Sequence, residues 1–282
     1  MTEQDTHLVL ERLLRLRDRR EPLVAQIAEW VGAGIIEGRL EPGQDLNSVD
    51  LSRRFETSRT PVREALMLLE QEGLVEMKAR RRPRVAAPTP QDIRDIYQVR
   101  KNLLSMLAGL LVERADDEEL AELRTRVERM RKLADGGDVD GYFWNHVLLQ
   151  ERMAEIVGNP TLKQILDSLA LRTLMLRHLS LTRAGRLAHS VDDQERLLQA
   201  CEERDGELAS ALIAGATVRA QRAVEEQLEQ DGAARGREPA RGRRAASQPP
   251  PRHPLGTRHL ASTSPSTGKL PPVTRADSSD AR

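Results

Sequence analysis

The chain has 282 residues, and 44 Lys plus Arg are matched by 44 Asp plus Glu, so its length allows two ordinary domains while its net charge points to no partner. A single cysteine, Cys201, excludes an intramolecular disulfide framework and a cysteine-based zinc site, and it fits a reducing compartment. The N-terminus mixes Glu3, Asp5, Glu11 and Arg12 with its leucines, unlike a signal peptide, and the longest apolar run, around Leu103 to Val112, is too short to span a bilayer. A cytoplasmic protein without a membrane partner is expected.

Residues 1–21 read as a charged, partly amphipathic extension ending in "RDRR". Pro22 suits the first position of a helix, where its missing N–H would be unpaired anyway, and Leu23, Ile27, Trp30, Val31 and Ile35 follow at helical spacing. "EGRLEPG" stops that helix. A short helix is expected from Ser48 to Phe55 and another up to Gln71, with Gly73 placed where a helix end favours a left-handed residue. "LVEMKARRRPRVAAP" then gives two extended stretches around an arginine-rich turn, a hairpin with a basic tip. Helix, helix, helix, hairpin is the winged helix-turn-helix order, assigned to residues 22–87.

"APTPQD" at 87–92 has the composition of a linker. Beyond it, helical periodicity predicts segments at 91–115, 117–134, 139–157, 160–181, 185–203 and 205–229, separated by "DGGD", "GNP", "AG" and "RDG". Residues 88–230 therefore read as an all-helical bundle. Residues 231–282, rich in Pro, Ser, Gly and Arg, lack the apolar content for a core and are expected to be a disordered tail. The fold class expected is mainly α: an N-terminal winged helix-turn-helix with a small β-hairpin wing, followed by a C-terminal all-α helical bundle.

The stretch "TSRTPVREAL" at 57–66 carries the functional signal. Thr60 is taken as the N-cap with Pro61 as the first helical residue, Ser58 being the competing cap. Val62, Ala65, Leu66 and Leu69 form one apolar stripe, which turns Arg63 outward and leaves Arg59 at the tip. Arginines at the N-terminus of a recognition helix can pair bidentately with guanine in the major groove. The Ser58 and Thr60 hydroxyls suit phosphate contacts, as do Arg81 and Arg82 in the tip "ARRRPR". The blander reading is a set of solvated arginines and a basic loop.

The run "IIEGRLEPGQDLNSVDLSRRFETSRTPVREALMLLEQEGLVEMKARRRPRV" resembles the DNA-binding domain of the GntR family of bacterial transcription regulators, with "G-x-L-x-P-G-x-x-L", "S-R-T-P-V-R-E-A-L" and "L-x-x-E-G-L-V" in order. The resemblance implies that Arg59 and Arg63 touch operator bases or phosphates, that Thr60 supports them, and that the wing enters the minor groove. Many members carry a glycine in the wing turn; this chain has "RRRPR". The helical part is similar to the FadR-type (FCD) branch through "DIYQVRKNLLSMLAGLLVERA", "VGNP" and "LLQACEERDGELASAL". That branch implies a ligand pocket in the bundle, a homodimer, and often a divalent metal on one aspartate and three histidines. Matched to this chain, those positions are His146, Gln150, Gln194 and about Ala216. Amides are poor ligands for transition metals, so no cofactor is expected and a divalent metal is disfavoured, with a rearranged site on His146, His189 and Asp192 or Asp193 as the variant.

Arg100 stands where the family carries an effector-facing arginine, and it is either the anchor for a carboxylate or the partner of an acid on a neighbouring helix. Gln150 and Gln194 would then offer neutral hydrogen-bonding groups. Tyr142, Phe143 and Trp144 are either the core plug of a bundle poor in aromatics or a pocket wall. No phosphate-cradling glycine loop and no nucleophile motif around Cys201 supports an enzyme. The expected function is a sequence-specific repressor of transcription, binding a double-stranded DNA operator as a homodimer and sensing a small carboxylate. The alternative is a dimeric regulator that has lost effector sensing.

Overall fold

The computed structural model describes residues 9–11, 13–14 and 21–237, with side chains described as far as residue 230. Helix α1 (Pro22–Ile36) opens on its proline and buries Val24, Ile27, Val31 and Ile35. Helix α2 (Ser48–Arg54) is capped by Asn47, whose side chain accepts from the Val49 N–H. Trp30 meets Phe55 edge-on at 5.9 Å and lies 4.2 Å under the Arg54 guanidinium.

Helix α3 (Arg59–Gln71) buries Val62, Ala65, Leu66, Leu68 and Leu69. Its N-cap is Ser58, not Thr60, and the serine makes no side-chain cap bond. Pro61 is thus the third helical residue rather than the first. A proline is tolerated throughout the first turn because those N–H groups have no intrahelical acceptor to lose, and its bias against a helical predecessor is a preference that packing overrides. Gly73 adopts φ +76, and a Cβ there would lie 2.7 Å from Nε of Arg172.

Strands β1 (Val75–Glu76) and β2 (Arg84–Val85) pair antiparallel, Val75 opposite Val85 and Glu76 opposite Arg84. Arg84 also forms an isolated bridge with Asp45, and its Nε donates to the Asp45 carboxylate at 2.5 Å. The hairpin is therefore tied to the loop ahead of α2 on one side and stacked behind α3 on the other.

Helices α4 (Pro90–Arg114), α5 (Asp117–Asp135), α6 (Val139–Val157), α7 (Pro160–Leu181), α8 (Arg186–Glu202) and α9 (Gly206–Arg237) build the bundle. Local chemistry sets their ends: capping boxes Thr89/Asp92 and Asp116/Glu119 open α4 and α5, Gly158 closes α6 in a left-handed turn, and Asn159 caps α7 ahead of Pro160. Helix α4 packs most extensively on α9, while α5 packs on α6 and α8. Helix α9 runs to Arg237, beyond the expected end at 229, so the first residues of the predicted tail are helical. The rest of that tail lies outside the described residues.

Tyr142, Phe143 and Trp144 at the start of α6 are 0%, 0% and 1% exposed, which decides for core over pocket wall. Tyr142 donates to Ser190 Oγ at 2.8 Å, and Phe143 sits against Trp144 and His178. The N-terminal extension contributes to the same core: Val9, Leu10, Leu13 and Leu14 are all buried. Leu14 reaches to 3.4 Å of the position a Cβ would occupy at Gly32 of α1. The density of charge around those leucines masked this in the sequence. No helix among the described residues is long and apolar enough to cross a membrane.

Candidate functional site

The head presents a cationic edge. Ser58, Arg59, Thr60 and Arg63 are exposed at the N-terminal end of α3, and Arg81 and Arg82 are exposed at the hairpin tip. Burial of the α3 stripe forces this outcome for Arg59 and Arg63. Among the described residues none of these four arginines forms an ion pair, whereas Arg84 is held by Asp45 and Lys78 by Glu76 at 2.9 Å. The four guanidiniums thus remain available to an anionic partner. At the hairpin tip Arg80 takes φ +62, the left-handed conformation that glycine adopts without strain.

A second site lies inside the bundle, where a cavity of about 50 Å³ is lined by α4, α6, α7, α8 and α9. His146, Gln150, Gln194 and Ala216, separated by up to 70 positions in the chain, all line it. Arg100 lines it as well, 4% exposed, and its Nη2 donates to Gln150 Oε1 at 2.7 Å. The partner of Arg100 is therefore an amide, and it makes no ion pair among the described residues.

Sequence reasoning missed several lining residues, of which Tyr97, Arg177 and Arg186 matter most for charge and hydrogen bonding. Arg177 is 7% exposed, and its Nη2 lies 3.3 Å from His146 Nδ1. Its signal was available in "LMLRHLSL", a cation amid an apolar helical run. A guanidinium only donates, so a bond from Arg177 requires Nδ1 of His146 as the acceptor and the ring proton on Nε2. That Nε2 faces Gln150 Nε2 at 3.5 Å. The Gln150 amide is oriented by Arg100, which requires Oε1 on its own side, so Gln150 and Arg177 both present N–H groups to a neutral ring that can accept only one of them. The Tyr97 hydroxyl and Arg186 Nε are buried with no hydrogen-bond partner.

The electrostatics follow from burial with one carboxylate among three guanidiniums. Desolvation, and then Arg177, Arg100 and Arg186 in turn, hold His146 well below the usual imidazole range, which leaves it neutral. Burial, reinforced by Arg100, pushes Arg177 down to about 9. Burial also lowers Arg100 and Arg186, the latter partly offset by Asp193. Asp193 is the acid on the cavity wall, and it is engaged from outside by Arg219 at 2.6 Å.

This donor set does not fit a divalent metal. It offers one imidazole already accepting from Arg177, two neutral amides and an alanine, among three guanidiniums that repel a cation. No group of three His, Cys, Asp or Glu among the described residues is placed to hold a metal ion. The rearranged site is not assembled either: His189 and Asp192 line a surface cleft that His146 does not reach, and Asp192 accepts from Arg131 at 2.6 Å. Past Arg100, Leu104, Gln150 and Arg177 lies a second chamber of about 40 Å³, mostly apolar and walled in part by Leu13.

Residues 23–85 match the family model for bacterial regulatory proteins of the gntR family, and residues 95–215 match that of the FCD domain. The chain is 26% identical over 193 residues to the uncharacterized HTH-type transcriptional regulator YdhC of Bacillus subtilis, covering 68% of this chain and 86% of that protein. It is 28% identical over 164 residues to the gluconate operon transcriptional repressor of Bacillus licheniformis, covering 58% of this chain and 66% of the other. The solved structure of E. coli McbR/YncC matches with a TM-score of 0.64 at 22% identity, covering 74% of this chain and 99% of that one.

Proposed function

Because this chain belongs to the GntR family of bacterial regulatory proteins and carries an FCD domain behind its DNA-binding head, a family of transcription regulators rather than enzymes, we propose that it is a repressor that reads a two-fold-symmetric operator as a homodimer and is released by a small carboxylate held in the bundle cavity. The observation that carries this reading is the pairing of two cationic sites in one compact unit. One is an exposed edge of Arg59, Arg63, Arg81 and Arg82 suited to DNA, and the other is the bundle pocket around Arg100 suited to a metabolite. In the recognition step, Arg59 and Arg63 reach base edges from the N-terminus of α3, while Ser58, Thr60, Arg81 and Arg82 hold phosphates.

A homodimer is supported by Val99 and Met106, seven residues apart on one face of α4 and 48% and 51% exposed, an apolar pair suited to a second copy of the same helix. One short recognition helix reads few base pairs, and dimerisation repeats the contact. Repression is supported by relatives that are themselves named repressors. Effector sensing is favoured over its loss because the cavity retains buried, uncompensated cations, which a regulator without a ligand would have no reason to keep. The test is to sequence DNA fragments retained by the full chain and then titrate the enriched site with small carboxylates. A symmetric motif released by at least one carboxylate is expected, and retention of DNA without sequence preference would overturn the reading.

A further inference from the structure

The cavity's surplus is of donors and positive charge, and it is larger than one carboxylate can neutralise. Arg100, Arg177 and Arg186 bring three cations to its wall, His146 is neutral, and the one acidic residue lining it, Asp193, is already paired with Arg219. Two hydrogen-bond donors lack acceptors, the Tyr97 hydroxyl and Arg186 Nε, and the neutral His146 ring, with one acceptor nitrogen, cannot accept from both Arg177 and Gln150. Tyr97 is 1% exposed, so bulk water does not satisfy it. Buried polar groups are ordinarily paired, and unpaired buried cations are costly. A site with this composition is complete only when an anion rich in acceptors occupies it.

We propose that the bundle cavity is a metal-independent site for a small dianion, a short dicarboxylate or a phosphate, with Arg177 and Arg186 acting beside Arg100 as its charge-neutralising ligands. The proposal rests on the reading of this cavity as the effector site. The positions matched to the metal ligands of related domains line the cavity, but the positive charge at its centre comes from guanidiniums on α4, α7 and α8. Arginine suits this role because its charge persists on burial and its planar fork meets oxyanions bidentately. At about 50 Å³, with a neighbouring chamber of about 40 Å³ beyond Arg100 and Arg177, the space is well below the ~150 Å³ of a cavity that admits benzene and suits a few-atom anion. The Tyr97 hydroxyl, Arg186 Nε and the N–H that the His146 ring leaves without an acceptor would meet the anion's remaining oxygens.

The test uses the full chain, treated with chelator, in thermal-shift and calorimetric titrations with malonate, succinate, inorganic phosphate and acetate at constant ionic strength. Saturable binding of at least one dianion is expected, at least tenfold tighter than acetate and unchanged by chelator. Arg177→Met and Arg186→Gln should each weaken that binding tenfold or more. Arg177→Met should not lower the melting temperature of the free protein, because it removes a buried cation that has no counter-ion. General stabilisation by excluded salts would persist in both variants and is thereby separated from binding. The dicarboxylate and phosphate arms identify which dianion the site takes.

Acetate binding as tightly as every dianion would overturn the two-charge assignment and leave the effector reading standing. A requirement for added divalent metal, or full binding by both arginine variants, would overturn the role of the guanidiniums. No response to any of the four anions by a protein that still binds its operator would overturn the cavity as an effector site, and the dianion with it.

Discussion

Trp144 on α6 donates its indole N–H to Glu37 Oε1 at 3.2 Å, joining the bundle to the residue that follows α1 of the head. Glu37 is held from its other side by Arg39, with Nη2 at 2.7 Å. Two residues along α6 from Trp144 stands His146, on the wall of the cavity. One rigid helix thus touches both the head and the cavity, which is the minimum a coupled regulator needs. Trp144→Phe keeps an aromatic ring in the buried position, removes the bond and leaves a small cavity where the indole was larger. It should cost at least about 1.5–3 kcal/mol of stability, the worth of a hydrogen bond to a charged group with the cavity added to it, and should reduce the anion-induced change in operator affinity. Operator titrations with and without saturating anion, run alongside denaturant unfolding, check this. An unchanged anion effect would remove Trp144 from the coupling.

Arg59→Ala and Arg63→Ala should each weaken operator binding by about 1–3 kcal/mol, the worth of a good bidentate base contact, with unfolding unaltered because both side chains are exposed. Replacing Arg81 and Arg82 with alanine should instead weaken binding to all sequences and flatten the dependence of log K on log salt by about 0.9 for each phosphate no longer neutralised. Gel-shift titrations at several salt concentrations separate the two effects. Operator affinity equal to the parent's for Arg59→Ala would remove that residue from base readout.

Placing a charge on the exposed α4 face tests the dimer. Val99→Glu with Met106→Glu should convert the sedimenting species to a monomer and lower operator affinity at least tenfold, while circular dichroism remains that of the parent, since both side chains are half exposed in the single chain. A double variant that still sediments as a dimer would place the interface elsewhere.

His146 gives a pH dependence whose sign is set by its environment. Its folded pKa lies below the imidazole value because burial and three arginines oppose the charged form. Below about pH 6.5 the unfolded chain binds a proton that the folded chain does not. Stability is therefore lost as pH falls through that value, by up to about 1.4 kcal/mol per pH unit until the folded group titrates. His146→Gln keeps an acceptor for Arg177 and removes the titration. Unfolding free energies of parent and variant, compared at pH 7.5 and pH 5.5, should diverge at the lower pH by about 1 kcal/mol. Parallel curves would show that His146 is protonated with no penalty in the folded state.

What the sequence determined by itself is what lies within a few residues of each decision. Thr89 with Asp92, Gly158, and Asn159 with Pro160 mark helix ends through bonds that close inside one turn, so the bundle helices from α4 to α8 fall within a residue of their expected bounds. The stripe of Val62, Ala65, Leu66 and Leu69 likewise sufficed to aim Arg59 and Arg63 outward. Even there the cap is Ser58 rather than the expected Thr60, because proline tolerates more than one first-turn position. The tertiary structure decided the cavity. Arg100, Arg177 and Arg186 sit on three different helices, and periodicity shows only that each interrupts an apolar pattern, not that they face one another. It also decided that Val9, Leu10, Leu13 and Leu14, hidden among charges in the sequence, are core residues. A side chain's partner across a bundle depends on the rotation and crossing of whole helices, which are fixed by the sum of many packing interactions and by no local signal.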